Sequence, residues 1–311
     1  MKPEIVVVGS VNNDMTIQTD HLPGVGETVI GGQFFAAQGG KGANQAVAAA
    51  RLGAKVTFVA RLGRDAFGEA SFKAYQAEGM ILDHLIWDDQ SPTGVALILI
   101  DREGRNYISV ASGANLRLSP HDVERAEAAI AGADVLLLQL EVPPAASIKA
   151  AEIARRHGVR VILNPAPAAP LPDELLSLVD YLTPNDTELE MLLSSLPPES
   201  KTADLPSNRI KALVVTLGSS GAQIIEGGQR RTVPAFVVDA VDTTAAGDAF
   251  NAGLAMALAR GLALDEAVRY ANAVSALSVT RLGAQTSLPY AAEVDSFLDR
   301  QERISNFAQA C

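Results

Sequence analysis

Five short apolar runs, alternating with stretches of helical spacing, constrain the fold of this chain more than any other feature. The runs are EIVVVGS (Glu4–Ser10), VTFVAR (Val56–Arg61), ADVLLLQLE (Ala133–Glu141), VRVILNP (Val159–Pro165) and IKALVVTLG (Ile210–Gly218). Each is continuous in apolar residues rather than alternating, as a strand buried on both faces must be. Ala-rich amphipathic stretches lie between them at Ala43–Leu52, Ala66–Glu78, Asp122–Ala131 and Ala145–His157. This order predicts an α/β fold: a mostly parallel central sheet with helices on both faces. With 48% apolar residues over 311 positions, one large domain, 1–311, can bury its own core. Parallel sheets take ligands beyond the carboxyl ends of their strands. The residues just after each run are therefore the first candidates for function.

Two regions break the alternation. Residues from about Met15 to Ala37 contain MTIQTD and ETVIGGQFF, with apolar and polar positions alternating. Gly94–Val110 reads as two strands joined by a turn at Glu103-Gly104. Neither has a helix to cover a second face, so both are expected in a small antiparallel β lid. A pair of ordinary edge hairpins is the other reading. The Pro-rich stretch Leu196–Asn208 is expected to be a surface loop.

The formal net charge of −11 argues against nucleic acid or an anionic membrane as partner. The chain has one cysteine, Cys311, so no internal disulfide can form and a reducing, cytoplasmic setting is expected. The N-terminal apolar run is too short for a signal peptide, and no apolar run has the length of a membrane span.

The stretch DTTAAGDAF, Asp242–Phe250, places two acids six residues apart with small residues between them. AFVVDAVDTT before it reads as a strand and a turn, and GDAFNAGLAMALARG after it as a helix ending near Gly261. Ala245, Ala246 and Gly247 therefore sit at a helix N-terminus, where free N–H groups and the helix dipole favour an anion. Asp248 would repel a phosphate there unless its task is to take a proton from an attacking hydroxyl. The competing reading is a helix cap with small packing residues. A second Gly-rich turn, Thr216, Leu217, Gly218, Ser219, Ser220 and Gly221, offers N–H groups and hydroxyls to a polyphosphate. Neither stretch is a P-loop, and no dinucleotide fingerprint is present.

Asn12, Asn13 and Asp14 follow the first run, and QGGKGANQA follows later with Gly40, Lys41, Gly42, Ala43 and Asn44. Carboxamides, a carboxylate and close backbone approach suit a polyhydroxylated ligand, and Glu141 adds an acceptor. As structural residues, Asn12 and Asp14 would be turn formers and Asn44 a cap. Lys41 could hold a phosphate or be solvated. Asn185 and Glu188, one helical turn apart, could hold the water shell of Mg²⁺ or form a capping box.

GSVNNDM, QGGKGANQA, LLQLE, NPAPA, TPNDTE, TLGSSG, VDTTAAGDAFNAG and VTRLGAQTS occur in that order, and through them the chain resembles the ribokinase-like carbohydrate kinases from Glu4 to about Arg300. The resemblance implies transfer of the ATP γ-phosphoryl group to the 5-hydroxyl of ribose, with Asp248 as base and the backbone of Ala245–Asp248 as anion hole. It implies a sugar set of Asn12, Asn13, Asp14, Gly40–Asn44 and Glu141. Asn185, Thr216–Gly221, Gly247 and Asn272 fall at ATP-contacting positions, and Glu188 at an acidic position linked to Mg²⁺. A monovalent cation site, usually K⁺, maps to Asp242, Thr244, Ser278, Arg281, Gly283 and Ser287, several through carbonyls. In relatives the lid strands build a homodimer. Ala245 stands where many relatives have Gly, Ser278 replaces a small apolar residue, and the Glu190–Lys211 segment is short and Pro-rich. Alternatives are a kinase for 2-deoxyribose, a nucleoside or another small sugar, and a non-catalytic sugar-binding protein. The 5% aromatic content offers a nucleobase few stacking partners.

Overall fold

The computed structural model describes residues 2–194 and 210–310, with the side chains of 305–310 excepted. The expected surface loop Leu196–Asn208 lies outside the described residues. A nine-stranded sheet forms the centre, and its strands in chain order are β1 Glu4–Val8, β4 Lys55–Gly63, β5 Leu85–Asp88, β8 Val135–Leu138, β9 Arg160–Leu163, β10 Tyr181–Leu182, β11 Ala212–Thr216, β12 Ala222–Glu226 and β13 Gln229–Val233. Their spatial order is β13-β12-β11-β10-β9-β8-β1-β4-β5. Every pair from β5 to β11 is parallel, and β12 and β13 add antiparallel at one edge. This is the expected α/β sheet.

The continuous apolar runs work as anticipated. On β1, Ile5 and Val7 enter one core while Val6 and Val8 enter the other. The first core is roofed by α1 (Lys41–Arg51), α8 (Ala246–Ala259) and α9 (Leu264–Ser278), and the second by α3 (Pro120–Glu124), α4 (Glu127–Ala131), α5 (Pro144–Arg156) and α6 (Asp173–Leu178). Helix α2 spans Ala66–Ala77 and α7 spans Asp186–Ser194. Small residues bring the roof close. A Cβ on Gly253 of α8 would stand 2.9 Å from the Cα of Ala271 on α9. The single helix expected over Asp122–Ala131 is instead α3 and α4, broken at Arg125-Ala126.

The strand expected in AFVVDAVDTT is absent: Pro234–Ala240 pairs with no strand among the described residues. Its period of two survives, with Phe236 and Val238 packed on the core and Val237 fully exposed. Apolar alternation reports which side faces the core, not whether a neighbouring strand exists.

A second sheet stands off the first, in the order β3-β2-β6-β7, from β2 Asn12–Gln18, β3 Gln33–Gly39, β6 Gly94–Ile100 and β7 Asn106–Ala111. The outer pairs, β2–β3 and β6–β7, are antiparallel as expected, and the central pair β2–β6 is parallel. Both central strands leave the same end of the main sheet, which fixes their common direction. Asp101 closes the β6–β7 turn by accepting from the N–H groups of Glu103 and Arg105 at 3.0 and 2.9 Å.

Candidate active site

Successive strands from β1 step one way to β4 and β5, and from β8 the other way to β9, β10 and β11. The strand order therefore reverses between β1 and β8, and a ligand crevice opens there beyond the carboxyl ends. Ser10 and Asn12 follow β1 at this point, and Glu141 follows β8. Helix α1 starts above them. The Glu141 carboxylate accepts from the Ser10 hydroxyl and, at 3.0 Å, from the Lys41 N–H. The Gly42 N–H donates to Ser10 Oγ at 3.2 Å, and the Ala43 N–H to the Ser10 carbonyl at 2.9 Å. Glu141 thus satisfies one orphan donor of the α1 N-terminus, and Ser10 satisfies two more. Gly42 is required: a Cβ there would lie 2.4 Å from the Ser10 nitrogen. Gly40 has φ 88°, which only glycine adopts without strain.

Asn12, Asn13 and Asp14 are the first residues of β2, not a turn. Asn12 accepts from Asn115 Nδ2 at 2.8 Å, and Asn115 also grips the Val11 backbone through its N–H and carbonyl. The Asn13 Nδ2 and Asn44 Oδ1 atoms are buried without partners. Orphaned polar atoms in a crevice are a demand for a hydrogen-bonding ligand. Gly39, opposite Asn12 on β3, leaves room for Asp14, whose carboxylate a Cβ there would strike. Burial, then the Glu141 and Asp248 carboxylates, push the Asp14 carboxyl up to about 6, against the pull of Lys41. Burial works against the charge on Lys41, but Asp248, Glu141, Glu188 and Asp14 outweigh it and hold its pKa above the ordinary value. Lys41 is half-buried and lines the cleft rather than standing free on the surface. It is the cation at the centre of an acidic site.

Asp248 lies in the first turn of α8 and is 5% exposed. Asn44 Nδ2 donates to its Oδ2 at 2.9 Å, and Gln45 Nε2 to its Oδ1 at 3.0 Å. Burial pushes its carboxyl up, while Lys41 and the two amides oppose the shift. Ala245, at the N-cap of α8, has φ 58°, the single left-handed non-glycine among the described residues. That conformation costs an alanine about 1–2 kcal/mol and explains why glycine suits the position. It turns the chain so that Ala245, Ala246, Gly247 and Asp248 line one cleft. The Ala246 N–H is taken by the Thr243 carbonyl at 3.2 Å, leaving Gly247 and Asp248 as the first-turn amides at the cleft. The carbonyls behind these peptides are pinned: Asn251 Nδ2 donates to Gly247 O at 2.8 Å and Ser275 Oγ to Ala246 O at 3.0 Å. A Cβ on Gly247 would meet nothing within 4 Å, so space for a charged group lies in front of it.

The cleft has a volume of about 200 Å³ and joins this turn to Lys41, Asn185, Glu188 and Thr216. Asn185 and Glu188 form the capping box: the Glu188 N–H donates to Asn185 Oδ1 at 2.7 Å, and the Asn185 N–H to Glu188 Oε2 at 2.9 Å. Burial raises the Glu188 pKa, with the Asn185 N–H and Lys41 opposing. Leu217–Gly221 is the β11–β12 connection, with Gly218, Ser219 and Ser220 exposed at its tip. Asn272 is not among the cleft residues. Its amide holds the carbonyls of Val233 and Pro234, each at 3.1 Å.

The two acids of DTTAAGDAF have separate environments. Asp242 accepts from the Thr244 N–H and hydroxyl at 2.9 and 2.7 Å and from the Gly283 N–H at 2.8 Å. Burial opposes its charge, but these donors outweigh it and hold the carboxyl below its usual range. Asp242 thereby ties the turn before α8 to the loop after α9. Ser278 and Ser287 are fully buried, their hydroxyls spent on the carbonyls of Ser275 and Ala284. The Arg281 side chain turns to Glu293, so only its backbone remains for a cation.

Sequence reasoning missed Gln45, Gln139, Asn115, Asn164, Thr183 and Asn251. Gln139 Nε2 donates to Gln45 Oε1, and Gln45 Nε2 also donates to Asn164 Oδ1. Asn164 Nδ2 donates to the Thr183 carbonyl, and the Thr183 hydroxyl to Asn251 Oδ1. Gln45 stands in QGGKGANQA itself, and Gln139 and Asn164 end apolar runs, a signal available to inspection.

A buried carboxylate beside open helix-terminal amides, at the mouth of a parallel sheet, is a site for phosphoryl transfer to a hydroxyl. The chain belongs to the pfkB family of carbohydrate kinases, whose family model matches residues 2–291. It is 43% identical over 304 residues to the ribokinase of Haemophilus influenzae, covering 96% of this chain and 99% of that one. It is 39% identical over 294 residues to the ribokinase of Bacillus subtilis, covering 94% and 99%. Among solved structures, ribokinase from Thermotoga maritima superposes with a TM-score of 0.87 at 36% identity, covering 96% and 99%. Arabidopsis thaliana ribokinase complexed with ribose and ATP gives 0.86 at 35% identity, covering 96% and 99%.

Proposed function

We propose that this protein is an ATP-dependent kinase that phosphorylates the 5-hydroxyl of D-ribose, giving ribose 5-phosphate and ADP. The observation that carries this reading is the Asp248 carboxylate, buried and held by two amides beside the cleft that Lys41 and Ala245–Gly247 line. The sugar lies between Asn12, Asp14, the Gly40–Asn44 turn and Glu141, while strand alternation turns Asn13 to the opposite face of β2. Asp248 accepts the proton of the attacking hydroxyl, and its raised pKa makes it a better base than an exposed aspartate. The amides at Gly247 and Asp248, with the α8 dipole, stabilise the charge that develops on the transferring group. Lys41, held charged by four carboxylates, supports the same charge from the opposite side. ATP occupies the cleft toward Asn185, Thr216 and the Leu217–Gly221 turn.

Glu188 and Asn185 fit the water shell of Mg²⁺, because the capping box uses only one Glu188 oxygen. The ion screens phosphate charge when bound. The Asp242 turn and the carbonyls near Ser278, Gly283 and Ser287 fit a monovalent cation such as K⁺, which supplies rigidity behind the anion hole.

The small sheet acts as a lid and dimer surface. Register places Asp14 with Phe35 and Ala37 on the sugar-facing side, and Ile17 and Phe34 on the other. Ile17, Phe34, Leu97 and Tyr107 are 40–61% exposed. An apolar surface of this extent on a sheet without a second layer is buried by a partner, here a second copy. No helix among the described residues is long and apolar enough to cross a membrane, and a cytoplasmic location follows from the cysteine usage and the substrates.

The test is an ADP-release assay with ATP and Mg²⁺ on ribose, 2-deoxyribose, adenosine and fructose, each with and without K⁺. Ribose-dependent turnover raised by K⁺ is expected. Turnover on another acceptor alone overturns the ribose assignment and keeps the kinase chemistry.

A further inference from the structure

We infer that Gln45 and Gln139 are positioning residues: a chain of two amides that fixes the Asp248 carboxylate as the acceptor facing the sugar hydroxyl. The inference rests on the kinase reading above. Gln45 sits in α1 and Gln139 directly after β8, both at 0% exposure. The Gln45 amide is fully directed. Its two N–H bonds go to Asp248 Oδ1 at 3.0 Å and Asn164 Oδ1 at 3.2 Å, and its oxygen accepts from Gln139 Nε2 at 2.6 Å. Without the Gln139 donor, the Gln45 amide can reverse and present its oxygen to the carboxylate, a repulsive contact. Gln139 therefore acts on Asp248 through Gln45.

Packing alone does not account for Gln139. Its Oε1 is buried without a partner. Such an atom costs about 1–3 kcal/mol, which a methionine of similar shape would avoid. The backbone has also been cleared for this amide, since a Cβ on Gly9 would stand 2.1 Å from Oε1. Neither glutamine lines the ATP cleft. A polar pair that is costly to bury, does not line the ATP cleft and ends on the reacting carboxylate is explained by what it does to that carboxylate.

The other charged groups facing Asp248 are Lys41 from α1, Glu141 after β8 and Asp14 from β2. Burial and Glu141 favour the protonated carboxyl, while Lys41, Asn44 and Gln45 favour the charged base. Removing the Gln45 donor, or its director Gln139, shifts this balance toward the proton.

The experiment is kcat against pH at saturating ribose and MgATP, for wild type, Gln45→Met and Gln139→Met. Saturation confines the profile to groups in the bound complex. The expected result for Gln45→Met is a kcat loss of about tenfold or more, the ribose KM held within about threefold, and the acidic limb moved to higher pH. Gln139→Met moves the limb in the same direction by less. An unmoved acidic limb in both, or an effect confined to KM, overturns the inference, because a merely structural role would leave the limb in place. Gln139→Met decides the matter if Gln45→Met does not fold. A wild-type enzyme inactive on ribose sinks the kinase reading itself, whereas an active wild type with unmoved variants sinks only the amide chain.

Discussion

The two halves of the proposed sugar site are built by opposite rules. The floor, where β1, β8, α1 and α8 converge, is buried, densely hydrogen-bonded and intolerant of added atoms. The roof, the small sheet of β2, β3, β6 and β7, is single-layered and carries exposed Ile17, Phe34, Leu97 and Tyr107. A floor of this kind can aim a carboxylate within tenths of an ångström. A roof with no layer behind it can move, close or associate, but cannot fix geometry alone. Asp14 belongs to the roof by chain and to the floor by charge, since its pKa is set by Glu141 and Asp248.

The comparison breaks most sharply at Gly42. Gly42→Ala places a Cβ 2.4 Å from the Ser10 nitrogen and 2.7 Å from the Gly9 Cα, so α1 must shift away from the sugar site. A misplacement of about 1 Å costs about 10²-fold, and kcat/KM for ribose is expected to fall by at least that much. An equally small change on the roof face, such as Ala36→Gly, leaves kcat/KM near wild type.

Next in size is Asp14. Asp14→Asn is expected to weaken ribose binding by about tenfold or more, through loss of a charged acceptor. The same substitution raises the melting temperature of the free protein by a few degrees, because the folded state no longer buries a carboxylate beside two others. The pH behaviour has a definite sign. The folded pKa of about 6 lies above the ordinary carboxylate value of 3.8, so the folded state binds the extra proton between these values. The contribution of Asp14 to stability, read as wild type against Asp14→Asn, therefore rises as pH falls from about 6 toward 4, while kcat/KM of the wild type falls over the same interval. Calorimetry and initial rates across that interval check both.

The roof is sharpened by Phe34→Glu. Light scattering is expected to show a dimer becoming a monomer at micromolar concentration, with the core melting transition retained. A wild-type monomer contradicts the dimer. The smallest effect belongs to Ala245→Gly, which relieves a left-handed alanine and is expected to stabilise by about 1 kcal/mol with activity unchanged.

Legibility in the sequence follows the same division. The parallel sheet could be read because strands such as VVVG and VLLL are buried on both faces and leave an unbroken apolar signature. The role proposed for Asp248 could be framed because a carboxylate among small residues at a helix start conflicts with an anion site unless it has a task. Gln45 and Gln139 could not be paired, since their meeting depends on which strand neighbours β1, a long-range fact that local pattern does not carry. The unpaired Pro234–Ala240 segment shows the converse. Its alternation is real, but no strand among the described residues pairs with it. The capping box at Asn185 and Glu188 shows that a structural and a functional reading can share one pair of side chains.

Whether the floor holds Asp248 as the base is decided by Asp248→Asn. Ribose binding by calorimetry and kcat with saturating ATP and Mg²⁺ should be measured on the folded variant. The account predicts ribose affinity within several-fold of wild type and a kcat lower by at least about 10²-fold. Turnover near the wild-type rate would contradict it.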